Sequence, residues 1–180
     1  MITYDENDAL RDAIEVGRQS PCQKSKRGVV IFVRGYGIEA VGRNRPPGEM
    51  RCDGSDACRE HCRDLCLHAE AAALLNLGQG HLVSARQAGF LYESGWPPAA
   101  SIQIVLPGHD LTPLEVLHVK VEDGKAVPSG PPSCVRCSAL LCDDARISKI
   151  WLLHEDGLYA YKRVEFHEMS LAAQGIPVIR

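Results

Sequence analysis

Apolar positions along this chain alternate between two periods. Residues 3–18, TYDENDALRDAIEVGR, carry Leu10, Ala13, Ile14 and Val16 at helical spacing behind an acidic start, which predicts a first helix. VVIFV (29–33) is β-branched and aromatic. With the turn RGYG and the run IEAVGRN (38–44) it predicts a hairpin. Residues 45–66 mix Pro, Gly, Cys and charge with no period, so something other than a hydrophobic face must order them. A second helix is expected from near His68 to near Leu77, stopped by GQG. LVSARQAGFLY is a helix candidate, and SIQIVL (101–106) and EVLHVKV (115–121) are strand candidates, the latter followed by the turn EDGK. VRCSALLCDDA (135–145) reads as a third helix and KIWLLH (149–154) as a strand. RVEFHEMSLAAQG (163–175) reads as a fourth helix ended by Gly175, and IPVIR as a terminal strand. Strands alternating with helices imply one layered α/β domain spanning 1–180.

Composition narrows the function classes. The 180 residues suit one domain, with 45% hydrophobic and 24% charged residues and a formal charge of -3. Nothing in that balance forces a basic face, which argues against avid nucleic-acid binding. No apolar run approaches the roughly 20 residues needed to span a bilayer, so no membrane role is expected. The start MITYDENDAL is acidic and polar, unlike a secretory signal. A cytoplasmic location is the resulting expectation.

Eight cysteines then change the picture: Cys22, Cys52, Cys58, Cys62, Cys66, Cys134, Cys137 and Cys142. Clustered thiols in a reducing compartment point to metal rather than disulfides. Inert burial suits Cys142 in ALLCDDA but not CDGSDACREHCRDLC, where four cysteines lie among charges. Cys134 and Cys137 open one predicted helix as Cys-x-x-Cys, where free N–H groups and the dipole favour thiolates. His68 and Glu70 open another. One imidazole and two thiolates make three zinc ligands, with the fourth position left for water. Zinc makes hydroxide available near neutral pH, and an unbound carboxylate beside it can shuttle the proton.

His-x-Glu followed by Pro-Cys-x-x-Cys is the signature of zinc deaminases. At HAE and PSCVRC the chain resembles the cytidine/deoxycytidylate deaminase superfamily. The resemblance implies a three-layer α/β/α sandwich with a mixed sheet of about five strands. It implies a catalytic zinc on His68, Cys134 and Cys137, with Glu70 as proton shuttle during hydroxide attack. One departure is visible: Ser133 stands between Pro132 and Cys134, where the family proline usually precedes the cysteine directly. SPCQKSKRGVVIF, GRNRPPGEMRCDG and the cysteines before HAE look like the zinc-dependent dCMP deaminase branch, with a Cys-rich insertion at 45–66. Residues 81–113 have no clear counterpart and form a second candidate insertion. By the same resemblance Asn44 seats the sugar, Ala69 belongs to the substrate site, and a structural second zinc falls to Cys22, Cys52, Cys58 and Cys66. His61 and Cys62 are spare ligands for it.

Other residues carry less. Arg43, Arg45 and Arg51 surround the Asn44 turn and could hold a 5′-phosphate, as more weakly could Arg86. Solvated loop arginines are an equal reading. His154 follows the fourth strand, where family members often place substrate-side residues. Tyr159 and Tyr161 beyond it could border a base pocket, with aromatic packing the preferred reading. His118 reads as a core or surface histidine. The expected activity is hydrolytic deamination of dCMP to dUMP, or of a related pyrimidine nucleotide or nucleoside. One alternative is a deaminase acting on cytosine or adenine in single-stranded DNA or tRNA, which would need a basic groove. A second is a non-catalytic zinc-stabilised binding module. The resemblance also implies a homo-oligomer, and allows regulation by dCTP and dTTP.

Overall fold

A computed structural model describes residues 3–46, 50–58, 60, 65–77, 112–130 and 132–178. Its first helix, α1 (Glu6–Arg18), begins where Asp5 caps it. The Asp5 side chain accepts from the backbone N–H of Asn7 (2.8 Å) and Asp8 (3.1 Å), and Asp8 accepts from the Asp5 N–H in return. Ala9, Ala13 and Gly17 form the buried stripe. Small residues there let the helix lie close on the sheet.

The predicted hairpin is β1 (Lys26–Val33) and β2 (Gly37–Arg43). The remaining elements are α2 (Ala69–Asn76), β3 (Leu114–Glu122), β4 (Lys125–Val127), α3 (Val135–Asp143), β5 (Ile147–His154), β6 (Gly157–Tyr161) and α4 (Arg163–Ala172). The sheet runs β2-β1-β3-β5-β6, with β4 paired to β3. The β3–β5 pair is parallel and the others are antiparallel, so the sheet is mixed.

Alternation along the strands sorts the two cores. Val30, Phe32, Leu117, Val119 and Val121 pack with Ala9 and Ala13 of α1. Val29, Ile31, Val116, Ile150 and Leu152 pack on the other face with Ala69, Ala73 and Leu74 of α2, Leu141 of α3 and Phe166 of α4. This is the expected α/β/α sandwich: among the described residues α1 packs on one face of the sheet and α2, α3 and α4 on the other. Each large side chain buried this way contributes about 1.5–3 kcal/mol.

Three differences from the sequence pattern have physical causes. KAV returns as β4 because Asp123 (φ 48°) and Gly124 (φ 74°) form a two-residue hairpin loop. GLYAY forms β6, an edge strand with no fully buried residue and hence a weak hydrophobic signal. The terminal strand expected at IPVIR is not formed over 176–178: Pro177 has no N–H for a ladder, and Ile176 is exposed. The helix and strand candidates within 81–111 lie outside the described residues.

Candidate metal centre and active site

Two helix starts meet above the sheet. The first belongs to α2, and its position is set by close approach to β2. A Cβ on Gly42 would stand 2.2 Å from the Ala69 carbonyl oxygen and 2.3 Å from the Ala73 nitrogen, so only glycine fits beneath the helix. The chain enters α2 through a β-bridge between Arg45 and Leu67, with N···O distances of 3.0 and 2.9 Å. This bridge closes the base of the Cys-rich segment and delivers His68 as the N-cap of α2.

The second start belongs to α3. Cys134 is its N-cap, and its sulfur accepts from the Cys137 N–H at 3.4 Å. His68 Nδ1 stands 3.3 Å from Cys134 Sγ and 3.4 Å from Cys137 Sγ. The three ligand atoms lie within 4.8 Å of one another, the one such group of His, Cys, Asp or Glu among the described residues. Hydrogen bonding from Cys137 and the His68 imidazole bring the Cys134 thiol down to about 5, against the upward push of burial. Cys137 moves well up, because its neighbour Cys134 and full burial both disfavour a second thiolate. The Cys134 sulfur raises the His68 pKa, against burial. One imidazole nitrogen and two sulfurs on converging N-termini are a donor set that fits zinc.

Glu70 is the second residue of α2, in its first turn, and is buried. Its Oε1 accepts a 2.6 Å hydrogen bond from Ser133 Oγ and faces His118 Nδ1 at 3.7 Å. Burial alone would raise this carboxyl. The His118 and His68 imidazoles and the Ser133 hydroxyl outweigh it and hold Glu70 at about 2, ionised at neutral pH. Burial lowers the His118 pKa, opposed by the Glu70 charge.

Asn44 is heavily engaged. Its Oδ1 accepts from Ser20 Oγ and the Arg27 N–H, both at 2.8 Å, and its Nδ2 donates to the Ser25 carbonyl at 2.6 Å. The side chain staples loop 20–25 to the hairpin. Its two acceptor positions are used, and one of its two N–H groups donates to Ser25. Arg43 donates to Gln19 Oε1 at 2.9 Å, and Arg45 is exposed with its backbone in the bridge to Leu67. Arg51 is exposed and Arg86 lies outside the described residues. Ala69 is buried against Gly42.

Of the second cysteine set, Cys52 Sγ lies 3.9 Å from Cys22 Sγ and 3.4 Å from Cys58 Sγ. Burial raises the Cys52 thiol, but the Gln23 N–H and the Cys58 thiol bring it to about 7. Cys22, Cys52, Cys58 and Cys66 do not close into a mutual group of the kind His68, Cys134 and Cys137 form. His61 and Cys62 lie outside the described residues. A cleft of about 390 Å³ separates loop 128–130 from the end of β5 and includes His154 and Asp156. There His154 Nε2 pairs with Tyr161 OH at 2.8 Å, and Tyr159 donates to Asp156 at 2.6 Å.

Sequence reasoning missed three neighbours of Glu70. Ser133 was legible only as an interruption of a motif. His118 shares the face of Leu114 and Val116 on β3, and a polar residue at that parity was the available signal. Arg27 lies on the strand face of Val29 and Ile31. Burial lowers its pKa, and the charges of Glu70, Glu122 and Cys22 oppose that.

No family model and no curated protein matches the chain. Among solved structures it is similar to a crystal structure of dCMP deaminase from the cyanophage S-TIM5 in apo form. The TM-score is 0.43 and the identity 18%, over 80% of this chain and 78% of that chain. No helix among the described residues is long and apolar enough to cross a membrane.

Proposed function

We propose that this chain is a zinc-dependent hydrolytic deaminase of a cytosine nucleotide, converting dCMP to dUMP or acting on a related pyrimidine nucleotide or nucleoside. The observation that carries the reading is the convergence of His68, Cys134 and Cys137 at two helix starts, with Glu70 buried beside them. Zinc in that position supplies acidified water near neutral pH. Glu70, ionised, takes one proton from the attacking water to the substrate's ring nitrogen, and then moves the proton of the newly added hydroxyl to the departing amine. Water oxygen becomes bonded to the ring carbon, the carbon–nitrogen bond breaks, and ammonia leaves. Ala69 and the second N–H of Asn44 orient the base and sugar, with Arg43 or Arg45 toward a 5′-phosphate.

The same reading includes a second, structural zinc in the Cys-rich segment, on ligands drawn from Cys22, Cys52, Cys58 and Cys66. The three-thiol contact around Cys52 supports it. Assembly into a homo-oligomer and a cytoplasmic location complete the proposal.

Ammonia release from zinc-loaded protein tests the reading, with Glu70→Ala as control. The substrates are dCMP, CMP, deoxycytidine, cytidine and a cytosine-containing DNA strand. Glu70-dependent turnover of dCMP supports it. Turnover of the strand but none of the monomers replaces it with a nucleic-acid deaminase. Silence on all five removes the proposed substrate class.

A further inference from the structure

His118 is a buried histidine without a conventional role. It is 3% exposed; neither ring nitrogen meets strict hydrogen-bond geometry among the described residues, and the Pro132 backbone interacts with the ring beside Glu70. An unpaired buried polar group is costly, so its surroundings matter. Its position in the sheet is singular. β3 pairs with β5 up to His118↔Leu152 and with β4 from Lys120↔Val127 onward. The shared edge of β3 therefore changes partner immediately after His118. On the face above that switch, Nδ1 points toward Glu70 Oε1, 3.7 Å away. Ser133, which directly precedes the N-cap of α3, puts its hydroxyl on the same oxygen at 2.6 Å.

We infer that Ser133 and His118 are positioning residues that clasp Glu70 through Oε1 and so aim Oε2 at the reacting water and base. The inference rests on the deaminase reading above. A carboxylate on a flexible side chain rotates about its last bond. The Ser133 hydrogen bond holds Oε1 from α3's entry loop, and the His118 ring, 3.7 Å away on the central strand, flanks the same oxygen electrostatically, so that rotation is restricted. Ser133 also ties the base to the thiolate loop: the backbone that presents Cys134 presents the hydroxyl one residue earlier. A shift of that loop would therefore move sulfur and base together. Misplacing a reacting group by about 1 Å costs on the order of 100-fold in rate.

The test uses the zinc-loaded full chain and the variants Ser133→Ala, Ser133→Thr, His118→Leu and His118→Gln, with zinc content and melting temperature recorded for each. Ser133→Ala and His118→Leu are expected to lower kcat by about 10- to 100-fold, with KM within about threefold and zinc retained. Ser133→Thr and His118→Gln, which keep a donor, should recover most of that loss. A second readout needs no turnover: ¹⁵N NMR of the His118 ring in the metal-free protein. Its Nδ1 resonance should move in Glu70→Gln and in Ser133→Ala. If the parent protein is active and the apolar variants keep its kcat, the clasp is wrong and the deaminase reading stands. If the parent protein deaminates nothing, the deaminase reading falls and the resonances judge the contact. An Nδ1 signal indifferent to both substitutions then overturns it.

Discussion

Two cysteine-bearing regions in this chain solve the problem of gathering thiols differently. Cys134 and Cys137 belong to a helix start, where dihedrals, N–H directions and the position over the sheet are all fixed by packing. His68 comes from a second helix start, seated on Gly42. Their ligand atoms form a mutual group. Cys22 and Cys52 come from irregular segments and Cys58 from a short helical turn at 56–58, and their contacts run pairwise through Cys52. Regular structure preorganises donors before any ligand arrives, whereas a loop needs the ligand to complete its order. The first arrangement suits chemistry that must be held steady, the second a structural staple.

The comparison breaks most sharply at Glu70 and His68. Glu70→Gln should retain zinc and lose about 10²- to 10⁴-fold or more in turnover, measured by ammonia release. His68→Ala or Cys137→Ala should lose the zinc itself, read as metal per chain by elemental analysis. Retained zinc in all of these ligand variants would mean that metal lies elsewhere.

Next in size is the pair of tight glycine contacts on opposite faces. A Cβ at Gly42 collides with the backbone of α2, and one at Gly28 lies 2.0 Å from the Ala13 carbonyl of α1. Both Gly→Ala changes should cost about 1–3 kcal/mol or more in stability, as overpacking does. Only Gly42→Ala should also displace His68 and Glu70, so its turnover per folded molecule should fall well below that of Gly28→Ala. Denaturant titration and kinetics on the same samples separate the two effects.

A smaller effect is expected in the loop. The Cys22→Ala/Cys52→Ala variant should drop from two metal ions per chain to one and melt lower, because a metal that binds only the folded state adds stability by mass action. One ion per chain in the parent protein, unchanged in the variant, would remove the second site.

The smallest effect concerns a carboxylate remote from both sites. Glu115 is 6% exposed at its side chain and accepts from Arg34 at 2.9 Å and from Trp151 at 2.6 Å. Burial pushes its pKa up, but Arg34 and Trp151 outweigh it and leave it lowered. A depressed folded-state pKa contributes stability above the unfolded value, roughly 4.3, and that stability is lost as pH falls through the folded value. Glu115→Gln should therefore cost about 1–2 kcal/mol at pH 7, allowing for the half-exposed Arg34. The gap to the parent protein should close below about pH 4. A gap that widens on acidification would contradict the assignment.

Much of this protein was legible before its tertiary structure. Helical spacing marked α1, which buries one stripe, while β1 and β3, buried on both faces, showed as apolar β-branched runs bounded by turns; α2, α3, β5 and α4 were also legible. β4 and β6 left little trace: a three-residue return and an exposed edge strand bury too little to impose a pattern. His68, Glu70, Cys134 and Cys137 were legible because their chemistry needs particular residue types at fixed steps along a helix start. Their convergence was implied by the family resemblance and not by local pattern, since Glu70 and Cys134 stand 64 positions apart in the sequence and packing on the sheet unites them.

What the sequence by itself determined is the set of local elements and the chemical identity of the donors, both of which depend on near neighbours. What only the tertiary structure decided is which polar groups share a buried space. It spent the Asn44 acceptor on Ser20 and Arg27, and brought Ser133 and His118 to one oxygen of Glu70. Those outcomes depend on strand order and on how closely helices approach the sheet, quantities summed over the whole chain and written in no single stretch of it.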